Sequence, residues 1–179
     1  MPISREFVRD VRKRAAEDPG VSLPALARAL NASEAEVILA LPPHMRIRAR
    51  VADLAAIWER LEIRKDLLSC RRPGKDVFTA TSLPAEAPRE EELESIWFLS
   101  RPAGGEERRS LRFFAPQGKR LLVVYMDAVA DDFDEMRALF GVRPVPRSRC
   151  GGCGRCACGH KSGGRAKPPP DGGALRAYG

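Results

Sequence analysis

A chain of 179 residues with 44% hydrophobic content is long enough for one domain with a proper core, but not comfortably for two. Its net charge of +7 is uneven: from residue 143 onward eight basic residues stand against one acid, Asp171, so the tail carries all of it and the body sums to zero. A nucleic-acid or anionic-membrane partner is therefore suggested only for the tail; no apolar run approaches the roughly 20 residues of a membrane span, and MPISREFVRDVRKR lacks the apolar stretch of a secretory signal, so a cytoplasmic protein is expected.

Along the chain, Phe7, Val11 and Ala15 lie four apart and predict a one-faced helix over residues 4 to 17, ended by Asp18-Pro19-Gly20. A second short helix follows Ser22, with Leu23, Leu26 and Leu30 on one face, and Asn31-Ala32 turns the chain. Ser33 to Glu36 is an S-x-x-E capping box that opens a third helix, closed after Leu41 by Pro42-Pro43. Met45 to Arg50 alternates apolar and basic residues as a half-buried strand does, and Asp53 to Leu61 returns to helical spacing.

From there the pattern is of strands. Leu67 to Cys70 and Val77 to Thr81 flank Arg72-Pro73-Gly74-Lys75 as a hairpin, and an acidic loop over residues 84 to 92 leads to a strand at Ser95 to Leu99. Ser110 to Ala115 and Arg120 to Met126 read as an antiparallel pair joined at Pro116-Gln117-Gly118. A last helix, from about Asp131 to Phe140, starts among acids that suit its dipole and stops at Gly141.

Helices, then a sheet, then a helix define an α+β fold for residues 1–141. Residues 142–179 form a basic tail rich in Gly, Pro and Cys; Pro144 to Gly179 holds nine of the fifteen glycines without periodicity and is expected to be disordered.

Three stretches, in order between residues 22 and 125, carry a family resemblance. Residues 22 to 41 include Leu26-Ala27 and Ser33-Glu34-Ala35-Glu36-Val37; Cys70-Arg71-Arg72 ends a strand; and Gly104-Gly105-Glu106-Glu107-Arg108-Arg109-Ser110-Leu111-Arg112-Phe113-Phe114 precedes Gly118 and Leu122-Val123-Val124-Tyr125. Together they resemble one shortened repeat of the bacterial haem-utilisation family, the haemin-transport and haem-degradation proteins (HemS, ChuS) and their smaller carriers (ChuX, HutX). The chain departs from that pattern in the middle, where family members carry further strands that help line the haem cleft and this chain has only Ala80 to Glu94.

The resemblance implies haem as ligand, a haem-uptake or haem-degrading protein as partner, and a role in haem trafficking, with degradation a subsidiary version. Haem iron takes His, Cys, Met or Tyr ligands, and its propionates call for Arg or Lys. His44, after two prolines at a turn, and Tyr125, near the end of the last strand, are the candidate axial ligands; a surface histidine and a sheet-face tyrosine are the plain alternatives. Arg72, Arg108, Arg109 and Arg112 are the candidate propionate partners, set against a solvated sheet edge that discourages aggregation. Cys70 reads as a small core residue, as do Trp58 and Trp97. Should a second copy's sheet edge replace the missing strands, the protein would be a homodimer.

The tail poses a separate question. Cys150, Cys153, Cys156, Cys158 and His160 supply five soft or borderline ligands within eleven residues, suited to zinc, copper(I) or an iron–sulfur cluster. Consecutive glycine-spaced ligands differ from the separated knuckles of a zinc ribbon, and nearby arginines favour oxidation as an alternative fate. The second functional reading is thus a metal-binding protein acting through its tail. The third is a helix-turn-helix regulator over residues 22 to 41, disfavoured because Ser33-Glu34-Ala35-Glu36-Val37-Ile38-Leu39 would repel phosphates and has no Arg, Lys or Gln to read bases.

Overall fold

The structure, a computed structural model, describes residues 3–71, 82–103 and 105–142. Three helices come first: α1 (Arg5–Glu17), α2 (Leu23–Ala29) and α3 (Glu34–Ala40). Strand β1 (Arg46–Ala49), helix α4 (Leu54–Ile63) and strand β2 (Ser69–Arg71) follow. Then come β3 (Ser95–Ala103), β4 (Glu106–Phe114), β5 (Arg120–Tyr125), helix α5 (Ala130–Phe140) and β6 (Gly141–Val142). The six strands make one antiparallel sheet in the order β2-β5-β4-β3-β1-β6. This is the expected α+β arrangement.

The first three helices begin on serines, whose hydroxyls accept from the backbone N–H groups of Phe7 (3.1 Å), Ala25 (3.3 Å) and Glu36 (3.2 Å). The capping box is complete, because Glu36 accepts from the Ser33 backbone N–H at 2.8 Å. Both hydrogen bonds from Ser33 hold the Glu36 carboxyl below its usual pKa. Asn31, between α2 and α3, takes a left-handed conformation (φ 49°) that asparagine tolerates better than most residues.

The sheet separates two cores, and strand parity decides which side chain enters which. On one face α4 and α5 bury Ile57, Trp58, Leu61 and Phe133 against Phe98, Leu111, Phe113 and Val124. On the other, α1, α2 and α3 bury Val11, Leu26, Val37 and Ile38 against Trp97, Leu99 and Phe114. The paired phenylalanines therefore serve both cores: Phe113 meets Trp58 edge-on at 6.2 Å, whereas Phe114 lies under the N-terminal helices. The pair Trp97-Phe98 divides likewise, with Phe98 meeting Phe133 edge-on at 5.6 Å. Both tryptophans and Cys70 are buried, as their spacing suggested.

Two features differ from the sequence expectation. Strands β3 and β4 form one long hairpin, paired from Ser95 with Phe114 to Ala103 with Glu106, where shorter strands at Ser95 to Leu99 and Ser110 to Ala115 were expected. Gly105 (φ 89°) supplies the left-handed residue of its turn. Helix α5 stops at Gly141 as expected, but with φ −71° and not through a left-handed cap. Gly141 begins β6, and it is glycine because a Cβ there would lie 2.4 Å from both the Arg137 carbonyl oxygen and Ile47 Cγ2. The expected partner strand at residues 77 to 81, the Arg72 turn and the tail with its disorder and metal ligands lie outside the described residues; β2 pairs with β5.

Candidate functional site

The sheet face that carries the N-terminal helices is not apolar throughout. Toward the hairpin turn its residues change from Trp97, Leu99 and Phe114 to Arg101, Arg108, Ser110 and Arg112, and across the strands to Tyr125 and Arg71. The turn between α1 and α2, residues 19 to 24, stands over them, and the space enclosed is a pocket of about 460 Å3. That size lies within the range of about 300–1,000 Å3 usual for small-molecule sites.

Register explains why a pocket forms there. Tyr125 pairs with Ser69 on β2 and Ser110 on β4, so the tyrosine ring is flanked by two small side chains instead of packed neighbours. Val21, Leu23 and Leu99 supply apolar wall, and Arg71, Arg101, Arg108 and Arg112 bring four guanidinium groups to the lining.

Those arginines differ in how they are held. Arg112 is buried; its Nη1 donates to Glu34 at 2.8 Å, and its Nε lies 3.4 Å from the Ser110 hydroxyl. Arg120 donates to the other Glu34 oxygen at 2.6 Å, so one carboxylate at the start of α3 joins two strands. Burial pushes the Arg112 pKa down, and Glu34 opposes that shift. Arg101 donates to the Val21 carbonyl at 3.1 Å and so ties the 19–24 turn to β3; burial lowers its pKa too, against the pull of Asp18. Arg108 is exposed, and its side chain forms no hydrogen bond or ion pair among the described residues.

Three of the residues singled out by sequence thus meet: Tyr125, Arg108 and Arg112. Two do not join them. Arg109 points to the opposite face, where it lies 2.8 Å from Glu107 and 3.8 Å from Asp134. His44 is exposed on the helical turn Pro43–Met45, beyond the opposite edge of the sheet, with β4 and β3 between β5 and the β1 strand that follows His44. It lines a separate groove, so the two candidate axial ligands are not brought together.

Arg108 and Arg109 also lie on the hairpin end of an interior strand, not at a sheet edge, since β4 is flanked by β5 and β3. Arg72 and the tail ligands Cys150, Cys153, Cys156, Cys158 and His160 lie outside the described residues. Among the described residues no group of three His, Cys, Asp or Glu side chains is placed to hold a metal ion.

Sequence reasoning did not single out Arg71 or Arg101 for this site. Parity could have found Arg71: with Cys70 in the core, its neighbour must face the other way, onto the side that holds Tyr125. Arg101 became visible only with the full length of the hairpin.

Fold and pocket together define a single-sheet α+β module, helices on both faces, with a ligand-sized, arginine-lined recess under its N-terminal helices. No protein-family model matches the chain, and no curated protein matches it in sequence. Solved structures do match its fold. A protein of Erwinia carotovora is 17% identical over 73% of this chain and 98% of its own, with a TM-score of 0.62. The heme-binding protein ChuX is 15% identical over 72% and 97%, with a TM-score of 0.59. The heme-degrading enzyme ChuS of Escherichia coli O157:H7 is 21% identical over 76% of this chain but 49% of its own, with a TM-score of 0.50. The chain therefore has the ChuX and ChuS fold and spans about half the length of ChuS.

Proposed function

We propose that this chain binds haem in the pocket beneath the 19–24 turn and serves to carry it in haem iron utilisation. The observation that supports this most is the convergence of Tyr125 with Arg71, Arg101, Arg108 and Arg112 around an apolar-walled space of about 460 Å3. An iron porphyrin needs a slot with apolar walls, an axial donor and cations for its propionates. Val21, Leu23 and Leu99 suit the macrocycle, and the Tyr125 phenol suits ferric iron. Arg108 can take a propionate without giving up another partner, whereas Arg112 and Arg101 are held by Glu34 and Val21 and shape the pocket. Fold kinship with ChuX, a heme-binding protein, points the same way.

Haemin titration of the full chain tests the proposal. A Soret change saturating near one equivalent is expected, with Tyr125→Phe altering the visible spectrum of the ferric complex and raising Kd. An unsaturable, additive spectrum, or a Tyr125→Phe spectrum identical to wild type, contradicts it.

A further inference from the structure

The other groove, of about 1,220 Å3, follows the β1 edge of the sheet. Its lining includes Arg46, Arg48, Arg137, Ile47, Ala138 and Trp97. The charges are unusual in how they are fixed. Arg46 Nε donates to the Leu41 carbonyl at 3.1 Å, Arg48 to the Glu94 carbonyl at 2.8 Å, and Arg137 to the His44 carbonyl. Backbone carbonyls orient a guanidinium without neutralising it, and none of these three arginines has a carboxylate partner among the described residues. Arg46 and Arg48 are further held over the Trp97 ring, at 5.6 and 5.9 Å.

Nearby groups do little to offset this charge. Arg50 alone is matched, by Asp53 at 2.9 Å, and the single acidic residue of the lining, Asp134, already faces Arg109. Burial lowers the Arg46 pKa, and repulsion from Arg12, held in turn by the Ala40 carbonyl, adds to that shift. Arg137 Nε is buried without a hydrogen-bond partner. Three fixed, unneutralised guanidinium groups make a site prepared for anions.

The edge itself narrows the choice of ligand. Strand β6 pairs with Arg48 and Ala49, and the groove follows the same edge past Ile47 and Arg46. Parity places Arg46, Arg48 and Arg50 on one side of that edge and Ile47 and Val51 on the other, where α5 brings both apolar Ala138 and, close to Ile47, Arg137. A lone anion would use the arginines but not the apolar side. An extended peptide with acidic residues at alternate positions and apolar ones between would use both. Bases would find the Trp97 face already covered by Arg46 and Arg48, which argues against a single-stranded nucleic acid.

We propose that the Arg46–Arg48–Arg137 groove at the β1 edge docks an acidic, extended segment of a partner protein, at a site separate from the Tyr125 pocket.

The probe is a fluorescent nine-residue peptide of alternating Glu and Val, followed by anisotropy with the full chain. Saturable binding that weakens with salt is expected, with Arg48→Glu and Arg137→Glu each raising Kd roughly tenfold and Arg48→Lys staying near wild type. Both reversals leave the tail's charge intact and should leave the haemin titration unchanged, which separates this site from the haem reading. Equal binding by the reversed variants would assign the peptide to the basic tail and overturn the proposal. So would equal binding of an alternating Lys and Val peptide, tighter binding of a single-stranded oligonucleotide, or a dimer that Arg48→Glu dissociates.

Discussion

The two faces of the sheet use the same strands for different ends. The face toward α4 and α5 is a conventional core, in which Phe98, Phe113, Leu111 and Val124 meet Trp58, Ile57 and Phe133. The face toward α1, α2 and α3 is a core for half its length and then gives way to arginines, serines and a tyrosine. Its packing also relies on charge, because Glu34 joins α3 to β4 and β5 through Arg112 and Arg120. The contrast separates what holds the sheet from what the sheet presents: one face stabilises by burial, and the other accepts buried charge to keep a polar recess open.

The largest effects should come from breaking either face at its centre. Phe133→Ala is expected to lower unfolding free energy by about 3–5 kcal/mol, read by urea denaturation, while haemin affinity of the folded protein stays unchanged. Glu34→Ala should cost about 3–5 kcal/mol as well, because it leaves Arg112 and Arg120 together without their shared carboxylate; here haemin affinity should fall too. If the two variants affect affinity alike, the division between the faces is wrong.

A smaller effect is expected at the pocket mouth. Arg108→Ala should weaken haemin binding by about 1.5–3 kcal/mol, at least tenfold in Kd, through loss of one charge-assisted hydrogen bond, with little change in stability. The smallest concerns the α3 cap. Ser33→Ala should cost about 1 kcal/mol at neutral pH, measured by denaturation. The Glu36 carboxyl is held below its usual pKa by Ser33, so its contribution is present above the unfolded value near about 4.3 and is lost as pH falls through the folded value. Ser33→Ala keeps the backbone N–H that lowers this pKa most and removes only the hydroxyl bond to the carboxylate, so the gap between wild type and Ser33→Ala should narrow in acid by that smaller share alone.

Much of the fold was legible because local chemistry and pattern agree. The serine caps, the four-residue apolar spacing of α1 and the acid-rich start of α5 each carry their meaning within a few residues. The Ala115–Gly118 turn was readable for a similar reason: Gly118 needs a left-handed φ of 72° and lies so close to Ser33 and Ala35 that a Cβ would approach both within 3.1 Å. The hairpin ends were not readable in this way. Charged Arg101, Glu106, Glu107 and Arg108 hide the alternation that marks a strand, although Gly104-Gly105 was a usable turn signal.

The site was legible as a set of residue types but not as a place. The motif that ends in Val124-Tyr125 and the run Arg108 to Arg112 lie on strands that line the pocket, yet strand parity sends Arg109 to the opposite face. Strand order, which a single sequence does not reveal, sets His44 and Tyr125 at different positions across the sheet. The 19–24 turn closes the pocket through Arg101 and the Val21 carbonyl, a link across 80 positions that no local pattern encodes.

The most direct test replaces Cys150, Cys153, Cys156 and Cys158 together with serine and titrates that variant with haemin beside wild type and Tyr125→Phe. Saturation near one equivalent in the serine variant, with weakened binding and a changed spectrum in Tyr125→Phe, is the predicted result. Binding that vanishes with the cysteines while Tyr125→Phe behaves as wild type would place the chemistry in the tail and contradict the account.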